Sequence, residues 1–198
     1  MITVKVLPDN DPTDPREFDT LGLLACWHRR HTLGDTQPDE EPTEWIKEHA
    51  PKGSVVLPVY LYDHGGLRMS TTRVSCAWDS GQVGVIVATP AAIRKCHGVQ
   101  KITRSIRDKV RKCLTAEVQA YSVYLSGDVW GYVIASVEEI VCGTCDTRVR
   151  REDPAVGDSC WGFYGATLES TGMKDHVAVE HHEALEAAWG LRFSPVSP

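Results

Sequence analysis

The stretch 101-KITRSIRDKVRKCLTAEVQAYSVYL-125 decides the fold, because it is the longest segment with helical periodicity. Its apolar residues recur at steps of three and four, which places them on one face of an α-helix. They are Ile102, Ile106, Val110, Cys113, Leu114, Val118, Tyr121 and Leu125. We predict a helix over 101–125 that packs this stripe on a sheet and leaves a basic face in solvent.

Segments around this helix have the apolar and β-branched composition of strands. They are residues 2–7, 21–28, 54–62, 67–74, 82–88, 128–135 and 158–164. Shorter helices are predicted after Pro42 and over 90–97, where Thr89 and Gly98 suit the two caps, and a closing helix is predicted over 173–189.

The order of these elements indicates the α+β class with a mostly antiparallel sheet, because helices and hairpins alternate without a βαβ rhythm. We expect a single domain over 1–193, in which 136–157 forms a small excursion, and a flexible tail over 194–198. We also expect the long helix to lie on one sheet that contains the strands 55–62, 83–88 and 128–135.

Charge and composition restrict the classes of partner. The 198 residues carry a net charge of −6, which disfavours general binding to nucleic acid phosphates. The longest apolar run, Val55 to Tyr62, is far shorter than the roughly 20 residues of a membrane span, so no membrane partner is expected. The start of the chain lacks the pattern of a signal peptide, and seven cysteines are then expected to be thiols in a cytoplasmic protein.

Two segments share an order of Gly-Asp followed by Trp-Gly and an aromatic residue: 127-GDVWGY-132 and 157-GDSCWGFY-164. Asp79 and Ser80 lie in a related segment, 78-WDSG-81. Aromatic faces beside carboxylates suit a planar polar ligand. This pattern makes ligand-binding candidates of Asp79, Ser80, Asp128, Trp130, Asp158, Trp161 and Tyr164. The alternative is that the Trp rings fill a core and the Asp side chains cap turns.

We predict that these two segments are antiparallel neighbours, which brings Asp128 near Asp158 or its neighbours and Trp130 near Trp161. Two close carboxylates need a positive partner. Arg16, Arg29 and Arg30 are the candidates, since an arginine fork binds carboxylate or phosphate. A solvated turn with local ion pairs is the alternative for Arg29 and Arg30.

Cys142 and Cys145 form a Cys-x2-Cys pair, which is half of a zinc site, and Cys160 could supply a third ligand. The spacing is irregular, so ordinary thiols at a hairpin tip are the alternative. The chain shows no P-loop, no Gly-x-Gly-x-x-Gly and no Gly-x-Ser-x-Gly. No cofactor is predicted, and zinc at these cysteines is left open as an alternative to ordinary thiols.

Several longer strings resemble a family of uncharacterised proteins carried by bacteriophages and prophages. They are 15-PREFDTLG-22, 27-WHRR-30, 33-LGD-35, 57-LPVYLYDH-64, 78-WDSGQVG-84, 124-YLSGDVWGY-132 and 158-DSCWGFYG-165. The resemblance covers roughly residues 15–165. It implies a viral accessory protein that acts in a bacterial cytoplasm, and it assigns no catalytic residues.

These observations lead to one main hypothesis of function and two alternatives. The main hypothesis is a non-catalytic phage protein that binds a host protein or a small host ligand, for counter-defence or host takeover. The first alternative is a metal-dependent hydrolase or transferase acting on a nucleotide, which requires Asp79, Asp128 and Asp158 to converge. The second is an acidic mimic of nucleic acid. Homo-oligomer formation is left open.

Overall fold

A computed structural model of the chain describes residues 2–63, 65–73, 80–145, 148–153 and 157–192. The elements found there confirm the α+β class, with antiparallel strand pairs, one long helix and a C-terminal helix. The chain forms two compact units: unit 1 is Met1–Thr13 with Gly127–Pro198, and unit 2 is Asp14–Ser126. The expectation of a single domain over 1–193 stays a prediction, and the predicted tail over 194–198 lies outside the described residues.

Unit 2 is built on a four-stranded antiparallel sheet. Its strands are β2 (Leu23–Cys26), β3 (Val55–Asp63), β4 (Leu67–Ser70) and β5 (Ser80–Ala88), in the order β2-β5-β3-β4. Its helices are α1 (Pro42–His49), α2 (Pro90–His97) and α3 (Arg104–Leu125).

The long helix α3 packs on this sheet with the apolar stripe that the sequence predicts. Val110, Leu114 and Val118 are fully buried and share a core cluster with the strands. The helix begins three residues later than predicted, because the Thr103 hydroxyl accepts the amide N–H of Ile106 and caps it there. Trp45 of α1 covers other residues of the sheet in a separate cluster.

Unit 1 contains the second four-stranded sheet. In it β6 (Val129–Val141) pairs antiparallel with β1 (Ile2–Pro8) along one edge, and with β7 (Arg148–Asp153) and β8 (Ser159–Tyr164). The prediction that the strand after α3 joins the sheet of β3 and β5 is therefore wrong. Within the predicted excursion 136–157, β6 runs on to Val141 and the charged segment Arg148–Asp153 pairs back on it as β7.

One face of this second sheet carries the core of unit 1. Trp130, Tyr132 and Phe163 are buried there against Met173 and Leu185. The covering elements are α4 (Leu168–Thr171), two short 3-10 turns and α5 (His182–Leu191). The prediction of one continuous helix over 173–189 is wrong, because Val177 is extended, with φ −112° and ψ 137°, and interrupts it.

Candidate functional site

The two Gly-Asp segments are antiparallel neighbours, as predicted. Val129 pairs with Tyr164 and Trp130 with Phe163 in the β6–β8 ladder. The prediction that Asp128 lies near Asp158 is wrong, because antiparallel pairing puts equivalent motif positions at opposite ends of the ladder. The Asp128 carbonyl accepts the N–H of Gly165, whereas the Asp158 carbonyl accepts the N–H of Ile134. Six residues of strand, about 20 Å, separate the two places.

Trp130 lies in the core of unit 1 and is 5% exposed. Its indole N–H donates to the carbonyl of Gly165 at 3.0 Å. The guanidinium carbon of Arg192 lies 5.2 Å from the centre of the Trp130 ring and 3.7 Å from that of Trp189. Burial lowers the pKa of Arg192, and the nearby Asp128 carboxylate opposes this shift. Arg192 is thus a positive group close enough to interact with the charge of Asp128, and the sequence analysis missed it.

Trp161 is exposed and is held in a fixed position. Its ring lies across Gly131, where an added Cβ would come within 2.1 Å of a ring carbon. The indole is nevertheless 46% exposed. The ladder shifts register between Trp130 and Tyr132, and Gly162 takes a positive φ of 83° there. Cys160 pairs with Tyr132 and packs on the core of unit 1, so Trp161, the next residue, lies on the opposite face with the outer side of its ring in solvent. The bulge after it takes up one extra residue and returns Phe163 to the core.

The segment from Asp9 to Thr13 secures this bulge. A carboxylate oxygen of Asp9 accepts the N–H of Gly162 at 3.1 Å. The hydroxyl of Tyr164 donates to the carbonyl of Thr13. The predicted site residues Trp161 and Tyr164 therefore lie in one feature, which we call the Trp161 platform. It comprises Asp9, Gly131, Trp161, Gly162 and Tyr164.

Asp158 lines a separate cleft of about 390 Å³ in unit 1, together with Ile2, Ile134, Ala135, Ser136, Gly157, Ala178 and His181. The hydroxyl of Tyr132 lies 2.9 Å from an Asp158 carboxylate oxygen and 3.0 Å from the carbonyl of His176. Burial, and then the hydrogen bond and charge of Asp158, raise the pKa of Tyr132 to about 12. We call this feature the Asp158 cleft.

Arg16 lies inside unit 2, where its side chain is 5% exposed. Its guanidinium donates to both carboxylate oxygens of Asp35 at 2.9 and 2.6 Å, and to the Gly22 carbonyl at 2.6 Å. It also donates to Glu117 at 3.3 Å. The Glu117 carboxylate in turn accepts the backbone N–H of Leu21. Arg16 therefore joins the chain around residues 16–24 to α3, and its donors are engaged within the protein.

Arg30 forms a surface cluster with the end of β3. It donates to Asp63 at 2.5 Å, although its side chain is 73% exposed. Nδ1 of His28 accepts the backbone N–H of His31 at 3.1 Å, and the two imidazoles stack with their centres 5.0 Å apart. Burial, and then the charges of His31 and Arg30, lower the pKa of His28. Arg29, next to this cluster, is exposed.

The third related segment is described only in part. Asp79 lies outside the described residues. Ser80 is the first residue of β5 and pairs with Tyr62 of β3 in unit 2. The structure therefore gives Ser80 a place in the sheet and gives no account of Asp79.

The candidate zinc ligands of the sequence analysis are Cys142, Cys145 and Cys160. Cys142 and Cys145 lie at the turn between β6 and β7, and Cys160 lies in β8. Hydrogen bonds, first from the Thr144 backbone and then from Cys145, lower the pKa of Cys142. In the part of the chain that is described, no three His, Cys, Asp or Glu side chains are arranged to hold a metal ion. Zinc binding stays one of the two alternatives that the sequence leaves open for these cysteines.

Comparison with protein-family models, curated proteins and solved structures finds no match to this chain. Among the described helices, none has both the length and the apolar character needed to cross a bilayer.

Proposed function

We propose that this chain is a binding protein without catalytic activity, which a bacteriophage uses to capture a host protein in the bacterial cytoplasm. The Trp161 platform is the proposed contact, and an arginine-bearing loop of the partner is the proposed ligand. The viral setting is supported by the resemblance of the sequence strings. The mode of binding is supported by the structure of unit 1.

The observation that carries this proposal is the exposed and fixed ring of Trp161. Exposing a large aromatic ring to water forgoes the free energy of its burial, about 1.5–3 kcal/mol for a large apolar side chain. Here Gly131 clears the space beneath the ring, and the alternation of side chains along β8 places the ring on the face opposite the core. A ring that is already fixed loses little conformational entropy on binding, which is why tryptophan often anchors protein interfaces.

Charge favours a cationic group on this ring. The Asp9 carboxylate is adjacent, since it accepts the N–H of the residue that follows Trp161. Unit 1 contains 14 acidic and six basic residues, a net charge of −8, whereas unit 2 has a net charge of +2. A guanidinium stacked on Trp161 would gain both the attraction to the ring face and that to Asp9. A nucleobase would bring phosphates that unit 1 repels.

The arrangement of the carboxylates supports binding over nucleotide chemistry. A metal-dependent hydrolase needs acids that converge on one ion or one reacting group. Asp128 and Asp158 lie at opposite ends of the β6–β8 ladder, and each has its own surroundings. Arg16 and Arg30 have acidic partners within unit 2.

Affinity capture from bacterial lysate tests the proposal with three forms of the chain: wild type, Trp161→Ala and Phe18→Ala. Phe18 is the matched control, because it is an aromatic residue of unit 2 with similar exposure, 53%. We expect quantitative mass spectrometry to find a host protein that wild type and Phe18→Ala retain and Trp161→Ala loses.

The partner is then purified and the arginine at the contact is replaced. We expect the affinity to fall by about tenfold or more, the usual loss when a central interface anchor is removed. The proposal fails if all three forms retain the same proteins, or if the affinity does not depend on an arginine of the partner.

A further inference from the structure

We propose that the Asp158 cleft binds an alkylammonium group, with the Asp158 carboxylate as the counter-ion and the apolar walls around the alkyl chain. This site is separate from the Trp161 platform and does not rest on the function proposed above. The same chemistry is presented by a small diamine and by the lysine side chain of a protein.

Two contacts place Asp158 at the cleft. Tyr132, which is 2% exposed, directs its hydroxyl to a carboxylate oxygen of Asp158 at 2.9 Å. The backbone of Asp158 is tied to β6 by the 2.7 Å hydrogen bond from the N–H of Ile134. The same hydroxyl lies 3.0 Å from the His176 carbonyl, so its one proton is shared between the two acceptors. Asp158 itself is exposed, and its carboxylate is therefore open to a ligand in the cleft.

The backbone before Asp158 requires glycine. A Cβ added to Gly157 would lie 1.6 Å from the carbonyl oxygen of Ile134, so any larger residue would push the chain away from β6. The Gly-Asp pair of the second motif is thus explained by local geometry. Glycine allows the close approach, and the approach places the carboxylate at the cleft.

The remaining lining determines which cation fits. Ile2, Ile134 and Ala178 are apolar, and His181 supplies an imidazole that accepts a hydrogen bond when it is neutral. Among the described residues that line the cleft, Asp158 has the one carboxylate. An anion would be repelled, and a neutral alkyl chain would gain nothing from the carboxylate. A flexible chain of methylenes that ends in an ammonium group matches both the walls and the charge.

Titration followed by amide NMR shifts tests this site with the full chain. The probes are 1,4-diaminobutane and N-acetyl-lysine-amide, and 1-butanol is the uncharged control. We expect saturable shifts at Ile134, Ala178 and His181 with at least one of the ammonium probes and none with 1-butanol. If only the diamine binds, the ligand is a small amine. If only the lysine derivative binds, it is a protein side chain.

Two variants assign the binding to the carboxylate. Asp158→Asn should weaken binding by about tenfold or more, because a charge-assisted hydrogen bond is lost. Asp175→Asn is the matched control, since it removes an exposed acid of the same unit and should change the affinity by less than about twofold.

Tyr132→Phe keeps the ring and removes only the hydroxyl that positions Asp158. We expect it to weaken binding less than Asp158→Asn does, and it supplies the test if Asp158→Asn does not fold. The proposal is overturned if neither ammonium probe gives saturable shifts, or if the variants at Asp158 and Tyr132 both bind as wild type. Trp161→Ala should bind both probes normally, which separates this result from that of the function proposed above.

Discussion

Replacing Arg16 by alanine should lower the free energy of unfolding by about 3 kcal/mol, because it leaves two carboxylates without their shared counter-charge. Breaking a buried ion pair costs about 3–5 kcal/mol. The side chains of Asp35 and Glu117 are 20% and 13% exposed, so solvent compensates part of the lost interaction. Both carboxylates also keep hydrogen bonds from backbone N–H groups. These two facts place the cost at the lower end of the range.

Urea denaturation followed by circular dichroism measures this change. In thermal denaturation, at roughly 4 °C per kcal/mol for a domain of about 100 residues, the melting temperature should fall by about 12 °C. Arg29→Ala is the matched control, since it removes an exposed arginine nearby and should cost less than about 0.5 kcal/mol. Arg16→Lys should fall between the two, because it keeps the charge and loses the bidentate geometry. A loss below about 1 kcal/mol for Arg16→Ala would refute this account of the network.

Two further predictions concern the alkaline stability of the chain and the cysteine pair at the hairpin tip. Burial raises the pKa values of Cys26 and Tyr132 to about 12, so each group ionises more readily in the unfolded chain than in the folded one. Ionisation of Cys26 should therefore not affect the free energy of unfolding below pH 9, nor that of Tyr132 below pH 10. Above these values the free energy of unfolding should fall toward pH 12. Cys26→Ala and Tyr132→Phe should each reduce the loss of unfolding free energy at alkaline pH, by about 2–3 kcal/mol in the case of Tyr132. If neither variant changes the dependence of this free energy on pH, the two groups do not have raised pKa values. Cys142→Ser should change stability by less than about 0.5 kcal/mol, because it lies in a turn at a hairpin tip. Elemental analysis that finds about one zinc per chain, lost together with stability in Cys142→Ser, would instead support the zinc prediction.

Elements with local signals could be predicted closely from the sequence. The helix α2 has the predicted bounds, because Thr89 and Gly98 cap it through bonds to residues within the same helix. The apolar stripe lies on one face of α3, and its central residues are buried as predicted. The strand β7 was missed because 148-RVRRED-153 is mostly charged, and it is a strand because it pairs with the end of β6.

Contacts between distant residues could not be predicted in the same way. The partner of Arg16 was sought among the Asp residues of the Gly-Asp segments, whereas the structure places Asp35 and Glu117 against it. Glu117 comes 101 residues later in the chain, on the part of α3 that faces the loop at Gly22. No local sequence pattern predicts this contact, because it depends on how α3 lies on the sheet.

The different positions of Trp130 and Trp161 had a signal in the sequence. The first segment has one residue between Asp128 and Trp130, and the second has two between Asp158 and Trp161. Successive side chains of a strand alternate between its faces, so one added residue turns the second tryptophan to the opposite face. The structure absorbs that residue as the bulge at Gly162, which leaves Phe163 back in register and buried. The two segments therefore follow the same strand pattern. The extra residue in the second segment is the reason why Trp161 is exposed whereas Trp130 lies in the core.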